Sequence, residues 1–177
     1  ISIHLLFPIS SKYNCWRELA GAFFCVEGDT QAVEVFVPLL RGLGLQVQTI
    51  SPESKAQYHL SCALASNFVC ALVQRSAELL SGCGFSQTDA LHALAPLMRS
   101  NLAHVIEHGA VSALTGPIER GDTQTVQKHL SCLTERDDRQ LYALLGLEQV
   151  KMAQDKHPEQ DYGTLAALLN REKEQKE

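Results

Sequence analysis

The chain has 177 residues, 45% of them hydrophobic and 20% charged, with a net charge of −5 at neutral pH. That is the composition of a globular protein large enough to bury a core without disulfide or metal staples. The acidic balance excludes a general nucleic-acid surface, because duplex binding rests on clustered Lys and Arg that neutralise phosphates. The six cysteines, Cys15, Cys25, Cys62, Cys70, Cys83 and Cys132, contain no Cys-x-x-Cys pair. The usual zinc and thioredoxin-type spacings are therefore absent. They read as reduced, buried, structural thiols, and a cytoplasmic location is the expectation that follows. No signal-peptide or lipidation pattern is visible in the sequence.

The first fifty residues alternate short β-like and helical stretches. The run Ile3-His4-Leu5-Leu6-Phe7 is a strand candidate ended by Pro8. A second follows at Ala22-Phe23-Phe24-Cys25-Val26, apolar enough to be buried on both faces. Asp29 then reads as an N-cap, and Ala32, Val33, Val35, Phe36, Leu39, Leu40 and Leu43 give one helical apolar face. Pro38 should kink that helix, and Gly42 and Gly44 end it. Leu45-Gln46-Val47-Gln48-Thr49-Ile50 is a third strand. Strand, helix and strand at this spacing make a βαβ unit, for which a parallel sheet is expected. The chain opens at Ile1 directly on a strand-like run, so a preceding segment is expected.

From Ser51 the period changes to that of helices. Ser51-Pro52-Glu53 combines an N-cap serine, a proline at the first helical position and an acid in the first turn. The pattern continues to Gly82 or Gly84, beyond the roughly 8–20 residues of an ordinary globular helix. Apolar or small residues occupy nearly all of it, which predicts a helix buried in a bundle. A membrane span is the competing reading, opposed by Gln57, His59, Ser61, Ser66, Asn67 and Gln74. Ser86-Gln87-Thr88-Asp89 resembles a capping box opening a helix that ends near Gly109. Asp122 caps another, and residues 137–156 and 161–171 carry two more, broken by Pro158 and Gly163. The mixed-sign tail, residues 171–177, reads as a solvated or frayed helix end.

Two segments carry a family signature. One is Ala113-Leu114-Thr115-Gly116-Pro117-Ile118-Glu119-Arg120-Gly121-Asp122, followed by Thr125-Val126 and His129-Leu130. The other is Lys55-Ala56-Gln57-Tyr58-His59 with Ala65-Ser66-Asn67. Together they resemble Rossmann-like proteins carrying the helical domain-of-unknown-function family 2520. That family is similar to pyrroline-carboxylate reductases, ketopantoate reductases and deazaflavin-dependent NADP oxidoreductases. The resemblance covers about residues 20–155. It implies an α/β remnant at residues 1–50, the second half of a Rossmann-like parallel sheet. An all-α helical bundle domain would follow at 51–177, similar to the 6-phosphogluconate dehydrogenase C-terminal type. It also implies NAD(P) as cofactor, a homodimer, and a small-molecule substrate at the cleft between the two domains. No Gly-x-Gly-x-x-Gly occurs in the 177 residues, so the phosphate-binding turn of such a fold is missing from the sequence. Where the family shows an aromatic or His-Pro opening to a loop, this chain has His4-Leu5-Leu6-Phe7-Pro8, and His4 receives no role.

Hydride transfer needs a proton donor or acceptor for the substrate oxygen or nitrogen. At roughly 100° per residue, Lys55, His59, Cys62 and Ser66 share one helical stripe, with Asn67 on the same side. His59 as proton donor and Asn67 as orienting amide are the catalytic candidates. The alternative is that both satisfy each other or backbone carbonyls in a packed bundle. Lys55 reads as solvated. The Gly- and Pro-punctuated loop at 115–122 places Thr115, Gly116 and Arg120 as substrate contacts. Arg120 would take a carboxylate or phosphate by its planar fork, or else pair with Asp122 or bridge a dimer. His104-Val105-Ile106-Glu107-His108 fits an inverted zinc-peptidase pattern. With no third ligand evident, no metal is expected there. Two readings of different class stand. One is an NAD(P)-dependent oxidoreductase-like protein. The other is a non-catalytic helical dimerisation or ligand-binding module that keeps the dehydrogenase scaffold.

Overall fold

The computed structural model describes residues 1–9, 12–13, 16–19 and 21–174. Cys15 and the last three residues of the charged tail lie outside these. The chain forms two compact units, Ile1–Ala90 and Leu91–Glu177. The change of period at Ser51 thus marks a change of secondary structure, whereas the units divide some forty residues later.

In the first unit, β1 (Ser2–Leu5), β2 (Phe23–Glu27) and β3 (Gln46–Thr49) form a sheet in the order β1-β2-β3. Strands β2 and β3 are parallel and joined by α1 (Thr30–Gly42), as a βαβ unit requires. The sheet is not parallel throughout, however, because β1 runs antiparallel to β2. Parallel pairing needs a crossover, usually a helix. Between β1 and β2 the described residues hold only a short 3-10 turn, Trp16–Leu19. Helix α1 starts where expected, with the Asp29 carboxylate accepting from the Ala32 amide at 2.9 Å. It runs through Pro38 to Gly42, and Gly44 takes the left-handed conformation that releases the chain into β3. Alternation puts Phe24, Val26 and Val47 on the sheet face beneath α1, where Val26, Val37 and Val47 form a small core.

The long helical pattern after Ser51 is three pieces. Ser51 caps a 3-10 turn at Pro52–Ser54, which leads into α2 (Lys55–Ala65). Ser66 leaves helical geometry with φ −124° and ψ −72°, and α3 (Asn67–Ser81) begins at the next residue. The Cys70 amide still bonds to the Ser66 carbonyl, so the two helices follow on with one interrupted residue. Within the first unit the expected burial is not met among the described residues. Leu60, Leu64, Phe68, Val69, Leu72 and Leu79 are all exposed, and Ala77 is the buried residue of this stretch. Cys70, Cys83 and Cys132 are likewise exposed, and Cys25 alone of the five described thiols is buried. The apolar pattern therefore specifies a surface that no described element of the first unit covers. By length and composition Pro52–Ser81 is apolar enough to cross a membrane.

The second unit is helical. It contains most of α4 (Gln87–His108), then α5 (Ala110–Ala113), α6 (Thr123–Ser131), α7 (Arg136–Lys156) and α8 (Gly163–Glu174). Ser86 Oγ accepts from the Asp89 amide at the start of α4, and Gly109 ends it at φ 83°. The core joins Ile118, Val126, Leu130, Ala143, Val150, Tyr162, Leu165 and Leu169. Gly146 of α7 is what lets α8 come close. A Cβ there would sit 3.1 Å from both Leu169 methyls and 3.3 Å from Ile118 Cδ1. The charged tail is not wholly solvated, since Glu172 is buried and pairs with Arg139 at 2.7 Å. Arg139 also donates to the Leu130 carbonyl at the end of α6, so one guanidinium ties three helices. Replacing Gly146 with Val should lower unfolding stability by about 1–3 kcal/mol through overpacking. Urea unfolding should show a lower midpoint with an unchanged slope.

Candidate functional site

Two periodicities meet in the first unit. On β1, Ser2 and His4 share a face, and their register partners Glu27 and Cys25 share it on β2. This is the face opposite α1. On α2, Lys55, Tyr58, His59 and Cys62 recur at helical spacing of three and four. The Lys55 ammonium meets the Glu27 carboxylate at 2.5 Å and Ser2 Oγ at 3.5 Å. Lys55 is thus an anchor and not a freely solvated lysine. One turn on, His4 Nδ1 lies 2.6 Å from the Tyr58 hydroxyl. The His4 ring is 5.0 Å from that of His59, and Tyr58 and His59 are 5.3 Å apart, all edge to face.

Burial raises the Tyr58 phenol to about 12, helped by its hydrogen bond with Cys62 and by the Cys62 and Cys25 thiols. It carries its proton at neutral pH, as an ordinary tyrosine does, and the shift makes it a weaker acid. Burial, and then Cys62, pushes the Cys25 thiol up as well. Next to the cluster is a cavity of about 210 Å³ lined by His4, Leu5, Leu6, Phe7, Pro8, Cys62, Ala65 and Ser66. A neutral phenol bonded to an imidazole can present or relay a proton to an oxygen or nitrogen placed there.

Sequence reasoning reached His59 but missed its partners. His59 is exposed and packs on His4, which the family pattern gives no role. Tyr58 stood inside a quoted motif without one. The signal that finds both is the two-residue repeat Ser2, His4 set against Lys55, Tyr58. Asn67 is exposed and starts α3 beyond the interruption at Ser66, so a continuous helical stripe no longer ties it to His59.

Thr115, Gly116 and Arg120 belong to the second unit, on one loop between α5 and α6. That loop is strapped in place by a residue the sequence did not single out. The Glu119 carboxylate binds His157 Nε2 at 2.7 Å and Lys156 at 3.4 Å, and the Glu119 carbonyl accepts from the Tyr162 hydroxyl at 2.6 Å. Those partners, His157 first, hold Glu119 below the usual carboxylate range. Lys156 also donates to the Leu114 carbonyl at 2.7 Å, and Gln160 to the Arg120 carbonyl at 2.9 Å. Ile118 sinks into the core while Thr115 and Arg120 face outward. Asp122 caps α6 through the Thr125 amide and hydroxyl, which lower its pKa ahead of the nearby Arg120 and Lys128 charges. The Arg120 guanidinium is exposed and available for an anion.

On α4, the His104 and His108 rings are 4.6 Å apart, edge to face. Among the described residues there is no group of three or more potential metal ligands. The turn after β2 does not fit a dinucleotide. A Rossmann fold binds pyrophosphate at a βα turn leading into a helix N-terminus. At the turn after β2, the Asp29 carboxylate already caps α1 and would repel a phosphate. A Cβ on Gly28 would meet the Ile1 backbone at 2.8 Å, so that side of the turn is closed as well.

The chain belongs to the family described as Domain of unknown function (DUF2520), whose model matches residues 22–149. No curated protein matches it. It is similar in fold to the structure titled "Crystal structure of protein TM1727 from Thermotoga maritima", with a TM-score of 0.66 and 24% identity. The match covers 87% of this chain and 61% of that one, so the chain spans about three fifths of its structural neighbour.

The Glu119 strap has a pH signature. Its folded pKa is depressed, so its contribution is present above the unfolded value of about 4.5 and fades as pH falls through the lower folded value. Glu119→Gln should cost about 1–3 kcal/mol at pH 7. Denaturant midpoints of variant and parent should converge below pH 4.5.

Proposed function

We propose that this DUF2520 chain supplies the substrate side of an NAD(P)-dependent oxidoreductase-like protein acting on a small polar molecule. The observation that carries the reading is the contact of His4, Tyr58 and His59 beside a cavity. Tyr58 is the proton-bearing group, His4 orients it, and His59 fixes the His4 ring. Asn67 remains an orienting amide in this proposal, while Thr115, Gly116 and Arg120 contact substrate from the strapped loop. Arg120 suits a carboxylate. The likeness to the NADP oxidoreductase, pyrroline-carboxylate reductase and ketopantoate reductase group, and to the 6-phosphogluconate dehydrogenase type of helical domain, belongs to the same proposal. So does a cytoplasmic location. The cofactor phosphates must be held by residues other than the turn after β2, whose Asp29 is unsuited to them.

The exposed apolar residues of α2 and α3 favour a second, compatible reading, a two-fold homodimer that covers Leu60, Leu64, Phe68 and Leu72. If the scaffold were only a dimerisation module, the dimer would form without any redox chemistry. The natural protein should oxidise NADPH in the presence of small α-keto acids or cyclic imines. Tyr58→Phe should lower kcat by roughly 10²-fold or more with KM for NADPH unchanged. A dimer by light scattering that neither oxidises nor binds NADPH would leave the module reading and overturn the enzyme.

A further inference from the structure

The helical unit holds a cavity of its own. About 310 Å³ in volume, it is lined by Asn101 and Val105 of α4, Ala110, Ala113, Leu114 and Thr115 in and after α5, and Gln149 and Met152 of α7. That is the lower end of the range in which small-molecule sites fall. Each helix contributes through one face, Asn101 and Val105 four apart and Gln149 and Met152 three apart. Its chemistry is uniform in one respect, for no lining side chain carries a charge. Of the cations along α7 near the cavity, Lys151 pairs with Glu148, and Lys156 is engaged with the Ser112 and Leu114 carbonyls and with Glu119. It therefore neutralises the carbonyl end of α5 and leaves the cavity neutral.

The polar groups that remain are two primary amides and a hydroxyl. Among the described residues, the side chains of Asn101, Gln149 and Thr115 have no hydrogen-bond partner. Each amide offers both a donor and an acceptor, and Thr115 offers either. Around them lie the alkyl surfaces of Val105, Ala113 and Leu114 and the thioether of Met152, which adapts to a flat ring. A charged ligand would find no counter-charge in this lining. An uncharged ligand with an apolar body and a donor-acceptor pair at one end would satisfy both parts of the lining. We propose that this cavity is a binding site for a small uncharged carboxamide. It lies within the helical unit, uses none of His4, Tyr58 or His59, and shares only Thr115 with the proposed substrate contacts, so it does not rest on the oxidoreductase reading.

Benzamide is the probe, with benzoate as its isosteric charged control. Titrated into the ¹⁵N-labelled full chain, benzamide should shift the side-chain amide signals of Asn101 and Gln149 saturably, in the millimolar range. The backbone signals of Ala110 to Thr115 should move with them. Benzoate at the same concentrations should leave them in place. Gln149→Leu should weaken benzamide binding by about tenfold, the equivalent of one lost hydrogen bond. Asn101→Leu, on an exposed helix face, is the second variant should the first fail to fold. The proposal is overturned if benzamide moves none of these signals, if benzoate moves them equally, or if the folded variant binds like the parent.

Discussion

The ion pair between Lys55 and Glu27 decides where the first turn of α2 stands on the sheet. Glu27 ends β2, and Ser2, its partner on β1, also reaches the Lys55 ammonium. With that turn pinned, the next brings Tyr58 and His59 over His4, because a strand repeats every two residues and a helix every three to four. The pair is about half-exposed on the lysine side, so its worth is positional more than energetic. The Ser51-capped turn and the Ile50 amide bonded to the Val26 carbonyl hold the start of α2 beside the sheet together with it.

The helical unit solves a parallel problem differently. A Gly- and Pro-rich loop must hold two outward-facing polar residues, Thr115 and Arg120, without secondary structure of its own. Glu119 does this through its carboxylate, which gathers His157 and Lys156, and through its carbonyl, which takes the Tyr162 hydroxyl. The straps come from the turn between α7 and α8, and those two helices are themselves in close contact because position 146 is glycine. Side-chain packing thus reaches the loop through one buried tyrosine and one carboxylate. In each unit, polar residues are presented from a frame set by a single acid, Glu27 in one and Glu119 in the other.

Much of the fold was legible because it is written in local chemistry. Asp29, Ser51, Ser86 and Asp122 each cap the helix that the sequence assigns to them. The strands β2 and β3 and the helix between them follow from apolar runs and turn glycines. What failed was long-range. No local signal told that β1 would return antiparallel, or that the apolar stretch after Ser51 would lack a cover among the described elements of its own unit. Periodicity located a stripe containing His59, yet it assumed one straight helix, and the interruption at Ser66 removes Asn67 from that stripe. Tyr58 and His4 were invisible for a related reason. Their meaning lies in a strand-to-helix pairing across some fifty residues, which spacing along either element alone does not reveal. Glu119 was hidden between residues whose motif drew attention to Arg120.

The account stands on Tyr58 being a proton-bearing phenol held by its neighbours. The most direct test is the ¹³Cζ resonance of Tyr58 followed by NMR through an alkaline titration of the folded chain, assigned with Tyr58→Phe. The account predicts that this signal remains that of the protonated phenol well past pH 10 and approaches its midpoint near 12. A midpoint at the ordinary tyrosine value of about 10, unchanged by removing Cys62, would contradict it.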